Sequence, residues 1–310
     1  PPPPPPPFSS RRRHTRSPLG SRGLGDVYKR QEKRRRCESC HGLSDTHDWL
    51  PEKDRHMAAV SCESCHVPRL YMAAQQLIDQ TVVRLDNKPQ VFYRGVEQGR
   101  IENPTTAYIE SYKPLVLIGE SVDGGEKLIP YNLVAEWFWV DAETNDRVPQ
   151  EALRAAWTRE GQYREEVLQT LDSDKDCQLG DAELRLDSTA GLQLIQRNLQ
   201  QAGVSQPEIR GQIRSYHIHH NVTHGDLVNR DCSGCHEPAL GDQDAFELSP
   251  YLPGNVLPEG VIGEGLVLDG HWQQTDDGRL LFVRDQPLAD SYSKRQQKKQ
   301  QEGGNTDEQG

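Results

Sequence analysis

Three copies of Cys-x-x-Cys-His carry the chemistry of this chain: Cys37–His41, Cys62–His66 and Cys232–His236. Two cysteines with two residues between them reach both vinyl groups of one porphyrin, and the adjoining histidine can then ligate its iron. The rival chemistry is zinc. Cys37, Cys40, Cys62 and Cys65 form two Cys-x-x-Cys pairs whose four thiolates could close a tetrahedral site. Zinc needs no histidine after each pair, and histidine is only 11 of 310 residues. The three trailing histidines therefore favour three covalently bound c-type haems, with Cys37, Cys40, Cys62, Cys65, Cys232 and Cys235 as thioether sites. His41, His66 and His236 are then the proximal iron ligands.

The distal ligands are a wider choice. Met57 and Met72 are the only methionines, so His/Met pairs could serve two haems at most and bis-histidine ligation is the default. His47 lies six residues after His41, and His56 six before Cys62. His217, His219, His220 and His224 crowd the approach to the third motif. The distal candidates are His47, His56, His219, His220 and His224. His271 reads as a strand histidine.

A second constellation is acidic. From Asp172 to Glu183 the chain fits the twelve-residue EF-hand register, with Asp172, Asp174 and Asp176 at positions 1, 3 and 5. Gln178 offers its carbonyl at position 7 and Glu183 a bidentate carboxylate at 12. Leu179 takes the buried position between them. Cys177 stands where glycine is usual. A left-handed turn there costs a side-chain-bearing residue about 1 kcal/mol. Calcium is thus a second expected cofactor, held as a structural clamp between flanking helices; a solvated acidic turn is the plain alternative.

Composition bounds the rest. Hydrophobic residues are 34 % and aromatics 6 %, lean for a packed domain, though bound macrocycles would add apolar area. The net charge is −11, from 36 Lys and Arg against 47 Asp and Glu. Seven of those basic residues and one acid fall in residues 1–31, which leaves −17 on the remainder. Such a body repels nucleic-acid phosphates and suits docking on basic redox partners. Residues 1–31 begin with seven prolines, and Ser9–Gln31 resembles translated adapter sequence, so they are set aside from fold reasoning as a non-native or disordered arm. No apolar stretch is long enough to span a bilayer. Haem attachment implies export to the periplasm, yet no secretory signal precedes the motifs, so the expectation is either a fragment or a wrong start.

The remaining regions follow from pattern. Residues 32–80 are a two-haem segment with a helix over Leu70–Ile78. Residues 81–148 are β-rich, with apolar runs at Val82–Leu85, Val91–Tyr93 and Leu115–Ile118, a turn at Asp123–Gly125 and an aromatic cluster of Trp137, Phe138 and Trp139. Residues 149–203 are helical around the acidic loop, with Gly203 as a stop. Residues 204–288 hold the third motif and a hairpin of Leu266–Leu268 and Leu280–Val283 about the Asp276–Gly278 turn. Residues 289–310 form a hydrophilic, disordered tail. The fold class is α+β: haem-dense and loop-rich, with a small β-rich segment and an EF-hand-like helical insertion.

The stretch Cys37-x-x-Cys40-His41, His47, Trp49-Leu50-Pro51, His56 and Val60-Ser-Cys62-Glu-Ser-Cys65-His66-x-Pro68 resembles bacterial multihaem cytochromes c of the octahaem tetrathionate reductase-like family. Glu183-Leu-Arg-Leu-Asp187, His219-His220 and the third motif continue the likeness over roughly residues 32–290. The resemblance implies a periplasmic respiratory role, bis-histidine haems in close chain, and often a C-terminal membrane anchor; an electron-transfer role would link a membrane quinol-linked donor to a terminal partner. With three motifs, this chain corresponds to a C-terminal part of such a protein. Electron transfer is the leading expectation. Reduction of tetrathionate or another sulfur or nitrogen oxyanion is the alternative, and a zinc- and calcium-stabilised interaction domain the third.

Overall fold

The computed structural model describes residues 37, 46–98, 108–121, 124–238, 245–262 and 265–304. The chain divides into two compact units, residues 1–49 and 50–310. In the first, the described residues are Cys37 and 46–49, where Thr46 Oγ1 lies 3.0 Å from His47 Nδ1. Cys40 and His41 lie outside the described residues, as does Asp123 of the predicted turn.

The second unit opens with helices α1 (Lys53–Ala59) and α2 (Cys62–His66). Strands β1 (Ala74–Asp79), β2 (Gln90–Arg94), β3 (Val96–Gln98), β4 (Tyr108–Ile109), β5 (Leu115–Glu120), β6 (Glu126–Asp141) and β7 (Asp146–Arg147) follow. Next come α3 (Gln150–Trp157), a small hairpin of β8 (Thr158–Arg159) and β9 (Gln162–Tyr163), α4 (Glu165–Leu171) and α5 (Thr189–Gln201). Then come β10 (Pro207–His217), α6 (Ser233–His236), β11 (Phe246–Ser249), β12 (Pro258–Ile262), β13 (Gly270–Gln274), β14 (Leu280–Arg284) and α7 (Leu288–Gly304). No described helix is long and apolar enough to cross a membrane.

The main sheet runs β12-β10-β6-β1-β2, and β5 and β7 also pair with β6. Strand β6 is covered on both faces, so its interior reads as a near-continuous apolar run rather than an alternation. Strand β10 is half-covered, and its Pro207, Ile209, Gly211 and Ile213 turn inward with a period of two. The two pair antiparallel from Pro207 against Asp141 to His217 against Tyr131. Trp137 and Trp139 are buried within this sheet. Their indoles donate to the carbonyls of Val256 (2.8 Å) and Thr81 (2.9 Å), so neither buried N–H is stranded. Gly211 faces Trp137 so closely that a Cβ would sit 2.5 Å from the indole nitrogen. Helices α3, α4 and α5 add Trp157, Val167, Ile195 and Leu199 to the same core.

Several sequence expectations give way here. Leu70–Ile78 is not a helix: Leu70 exchanges backbone hydrogen bonds with Tyr112, and Ala74–Asp79 is strand β1 between β2 and β6. Ala, Gln and Leu favour helix locally, but two flanking strands decide the outcome. Val82 and Val83 are buried in a connection rather than a strand, because Asp79 turns the chain by accepting from the Thr81 N–H and hydroxyl at 2.7 and 2.6 Å. The C-terminal hairpin is β13 with β14; Val267 instead bridges Ile118 of β5. The hydrophilic tail is helix α7 as far as Gly304. Its Tyr292 donates to the Glu126 carbonyl, and Arg295 and Lys299 hold the Glu126 carboxylate at 2.7 and 2.8 Å. Strands β6 and β10 join the β-rich segment to the third-motif segment in one ladder.

The paired tryptophans make the core sensitive to truncation. Trp137→Ala should lower unfolding free energy by about 3–5 kcal/mol, read from the midpoint of a urea titration followed by circular dichroism.

Candidate functional site: two Cys-x-x-Cys-His motifs and a histidine cluster

Helix α2 holds the second motif on one short helical stretch. Ser61 N and Ser64 Oγ donate to the carbonyl of Leu128 on β6, at 2.9 and 2.8 Å, which pins the motif to the sheet. The connection between β10 and α6 then wraps back over it. Thr223 N donates to the His66 carbonyl at 2.7 Å, and Asn229 N to that of Cys65 at 2.9 Å. The Thr223 carbonyl lies 2.8 Å from His66 Nδ1. A histidine tied at Nδ1 to a carbonyl presents Nε2 to an iron.

Helix α6 carries the third motif. Asp231, just ahead of it, accepts from Ser233 N at 3.0 Å and from the Ser233 hydroxyl. Cys235 packs with Leu128, Ile118, Leu288 and Tyr292, so α7 covers one side of this motif. Burial raises the Cys65 and Cys235 thiols, and Cys235 and Cys232 add to the effect at Cys65. The second and third Cys pairs are thus close enough to feel one another.

The candidate histidines fall into distinct settings. His56 of α1 faces His236, with ring centroids 6.0 Å apart and planes inclined at 56°. His217 and His219 project from the end of β10 with centroids only 3.6 Å apart. His219 Nδ1 lies 3.5 Å from Glu63 Oε1, and that hydrogen bond holds the Glu63 carboxyl at about 2, below its ordinary 4.5. Glu63, His217 and His219 bring their ligand atoms within 4.8 Å of one another. His220 Nε2 lies 3.1 Å from the Met72 sulfur. His224 is exposed, ahead of a short 3-10 turn. His47 belongs to the first unit. His271 sits on β13, 2.7 Å from Asp285.

These residues suit a haem. Tyr71 and Leu227 are each 70 % exposed and Val222 54 %, on the segments that carry Met72, His220 and the Thr223 stitch. Apolar side chains beside metal-ligating histidines are the surface a porphyrin covers. Glu63 and Thr223 were not singled out from sequence. Glu63 had a signal, since it stands inside the motif itself; Thr223, which acts through its backbone and its hydroxyl, had none.

The acidic loop is coiled much as its register predicts. Asp172, Asp174 and Asp176 bring oxygen atoms within 4.8 Å of one another. Glu183 reaches back to accept from Ser173 N and Oγ, both at 2.8 Å, and from Gly180 N at 3.0 Å. Those donors lower its carboxyl to about 2. Gln178 N donates to Asp176, and Leu179 is buried in the main core. Cys177 has φ 63°, the left-handed turn that glycine usually makes. The second flanking helix is α5, but it begins only at Thr189, after an irregular stretch that follows Glu183. Leu184 and Leu186 are buried there, and the Leu186 carbonyl accepts from Gly254 N at 2.6 Å.

Two outcomes test this geometry. Glu63 has a depressed pKa, so its contribution is complete above about pH 4.5 and fades as pH falls towards 2. Glu63→Gln should therefore cost about 1–2 kcal/mol at neutral pH, with the gap to the parent closing across that window in urea titrations. Cys177→Gly should raise the thermal midpoint, because it relieves about 1 kcal/mol of left-handed strain.

Residues 13–67, which take in the first two motifs, match the family described as cytochrome c554 and c-prime. No curated protein matches the chain. Among solved structures, the octahaem cytochrome c from Shewanella oneidensis shares 14 % identity at a TM-score of 0.34, over 65 % of this chain and 48 % of that one. The chain thus spans about half the length of that structure. In its first two Cys-x-x-Cys-His motifs, this chain is similar to c-type cytochromes.

Proposed function

We propose that this chain is a multihaem c-type cytochrome that carries electrons in respiration outside the cytoplasm, in the periplasm of a bacterium. The observation that carries the reading is the joining of the second and third motifs. Thr223 and Asn229, just ahead of Cys232, are hydrogen-bonded to His66 and Cys65. Haems bound there would supply one-electron exchange at iron. Cys62, Cys65, Cys232 and Cys235 would anchor two of them, and Cys37 and Cys40 a third. His66 and His236 would ligate iron from the proximal side, as would His41. The −17 charge beyond residue 31 suits docking against basic partner proteins.

A calcium ion in the acidic loop is part of the same reading. Asp172, Asp174, Asp176 and Glu183 supply its carboxylates and Gln178 its carbonyl. The loop hangs on the core through Leu179, so a bound ion would clamp a surface turn. Reduction of tetrathionate or another oxyanion rests on the family resemblance alone, and a haem with an exchangeable sixth ligand would be its sign.

Expression behind a secretion signal with c-type haem maturation should yield a red protein heavier by three haems, with low-spin bands that cyanide and nitrite leave unchanged. A colourless, unmodified protein carrying stoichiometric zinc would overturn the cytochrome reading in favour of an interaction domain. Calcium at 100 times its Kd should stabilise the fold by about 2.7 kcal/mol. Glu183→Gln should abolish that gain in thermal scans with and without chelator.

A further inference from the structure

We infer that His56 is the sixth iron ligand of the haem carried by the third motif, Cys232–His236, and not of the haem on its sequence neighbour, Cys62–His66. The inference rests on the cytochrome reading and adds to it a pairing between motifs that sequence spacing does not reveal. His56 precedes Cys62 by six residues, so proximity along the chain assigns it to the second haem. The fold turns it elsewhere.

Three observations carry the assignment. Two imidazoles on opposite sides of one metal, each bonded at about 2.0–2.1 Å, place their ring centres about 6 Å apart. His56 and His236 stand 6.0 Å apart. The His217–His219 pair, at 3.6 Å, leaves no room for an ion between its rings. Second, His56 Nδ1 lies 3.4 Å from the Glu52 carbonyl within its own helix, which directs Nε2 outward, as a ligating histidine requires. Third, the sheet edge brings α1 and α6 together. Val60, just after α1, packs in the same cluster as Cys235, with Leu128 and Leu288. The ordinary alternative is a half-buried and an exposed histidine that are merely neighbours, with no iron ligated by His56.

Helix α1 and helix α2, nine residues of chain apart at their starts, would then serve different haems. α2 would hold the second haem by its cysteines while α1 closed the third. A shift of this one segment would alter both sites together, a route for coupling their potentials.

The haem-loaded chain is the material for the test. His56→Met should leave three haems attached, convert one of the three to a His/Met spectrum, and move one of the three reduction waves to higher potential. His56→Gly should make one haem in three high-spin, and added imidazole should restore it. In a chain already carrying Cys232→Ala and Cys235→Ala, which loads only two haems, His56→Met should change neither spectrum nor potentials. The assignment is overturned if all three haems keep bis-histidine signatures in His56→Met, or if the two-haem chain responds to it. Failure of the parent chain to take up haem would instead bring down the cytochrome reading itself.

Discussion

The antiparallel ladder of β6 with β10 is the constraint on which the rest depends. It runs unbroken from Asp141 against Pro207 to Tyr131 against His217. Because β6 is buried on both faces, its register cannot slip without carrying apolar side chains into solvent. That fixes three things at once. Leu128, near the start of β6, presents the carbonyl that receives α2. The Pro130 carbonyl accepts from Ile218 N, so the histidine-rich run leaves β10 at a set point. Trp137 locks against Gly211 and Val256 to hold the strands in place.

From that ladder the two motifs are hung as one assembly. A c-type site needs its cysteines on a short helical turn and its histidine held by Nδ1. The second motif has both, and its Nδ1 tie comes from the Thr223 carbonyl, 157 residues further along the chain. The third motif is buttressed by the apolar face of α7, a segment whose composition alone promises no packing. Removing either support would leave the Cys-x-x-Cys-His spelling intact and the site unformed.

The acidic loop shows a different economy. Its oxygens are gathered by local backbone donors: Lys175 N and Cys177 N on Asp172, Asp176 N on Asp174, Gln178 N on Asp176. Such a loop is written into its own twelve residues. What surrounds it is not: the exit through Leu184 and Leu186 is buried in the core before α5 begins.

The sequence by itself determined the features whose cause is local. The three Cys-x-x-Cys-His spacings, the acidic register with its left-handed Cys177, the Gly203 stop at φ 96° and the strand at Val91–Tyr93 all follow from neighbouring residues. Tertiary structure alone decided what depends on distant pairing. Ala74–Asp79 became a strand because β2 and β6 flank it. The hydrophilic tail became a helix because Glu126, some 170 residues earlier, collects its cations. His56 met His236 because a sheet edge lies between their helices. Chain spacing records short-range geometry well, since few backbone angles intervene. Across a hundred residues or more, only the packed sheet sets which histidine stands opposite which motif.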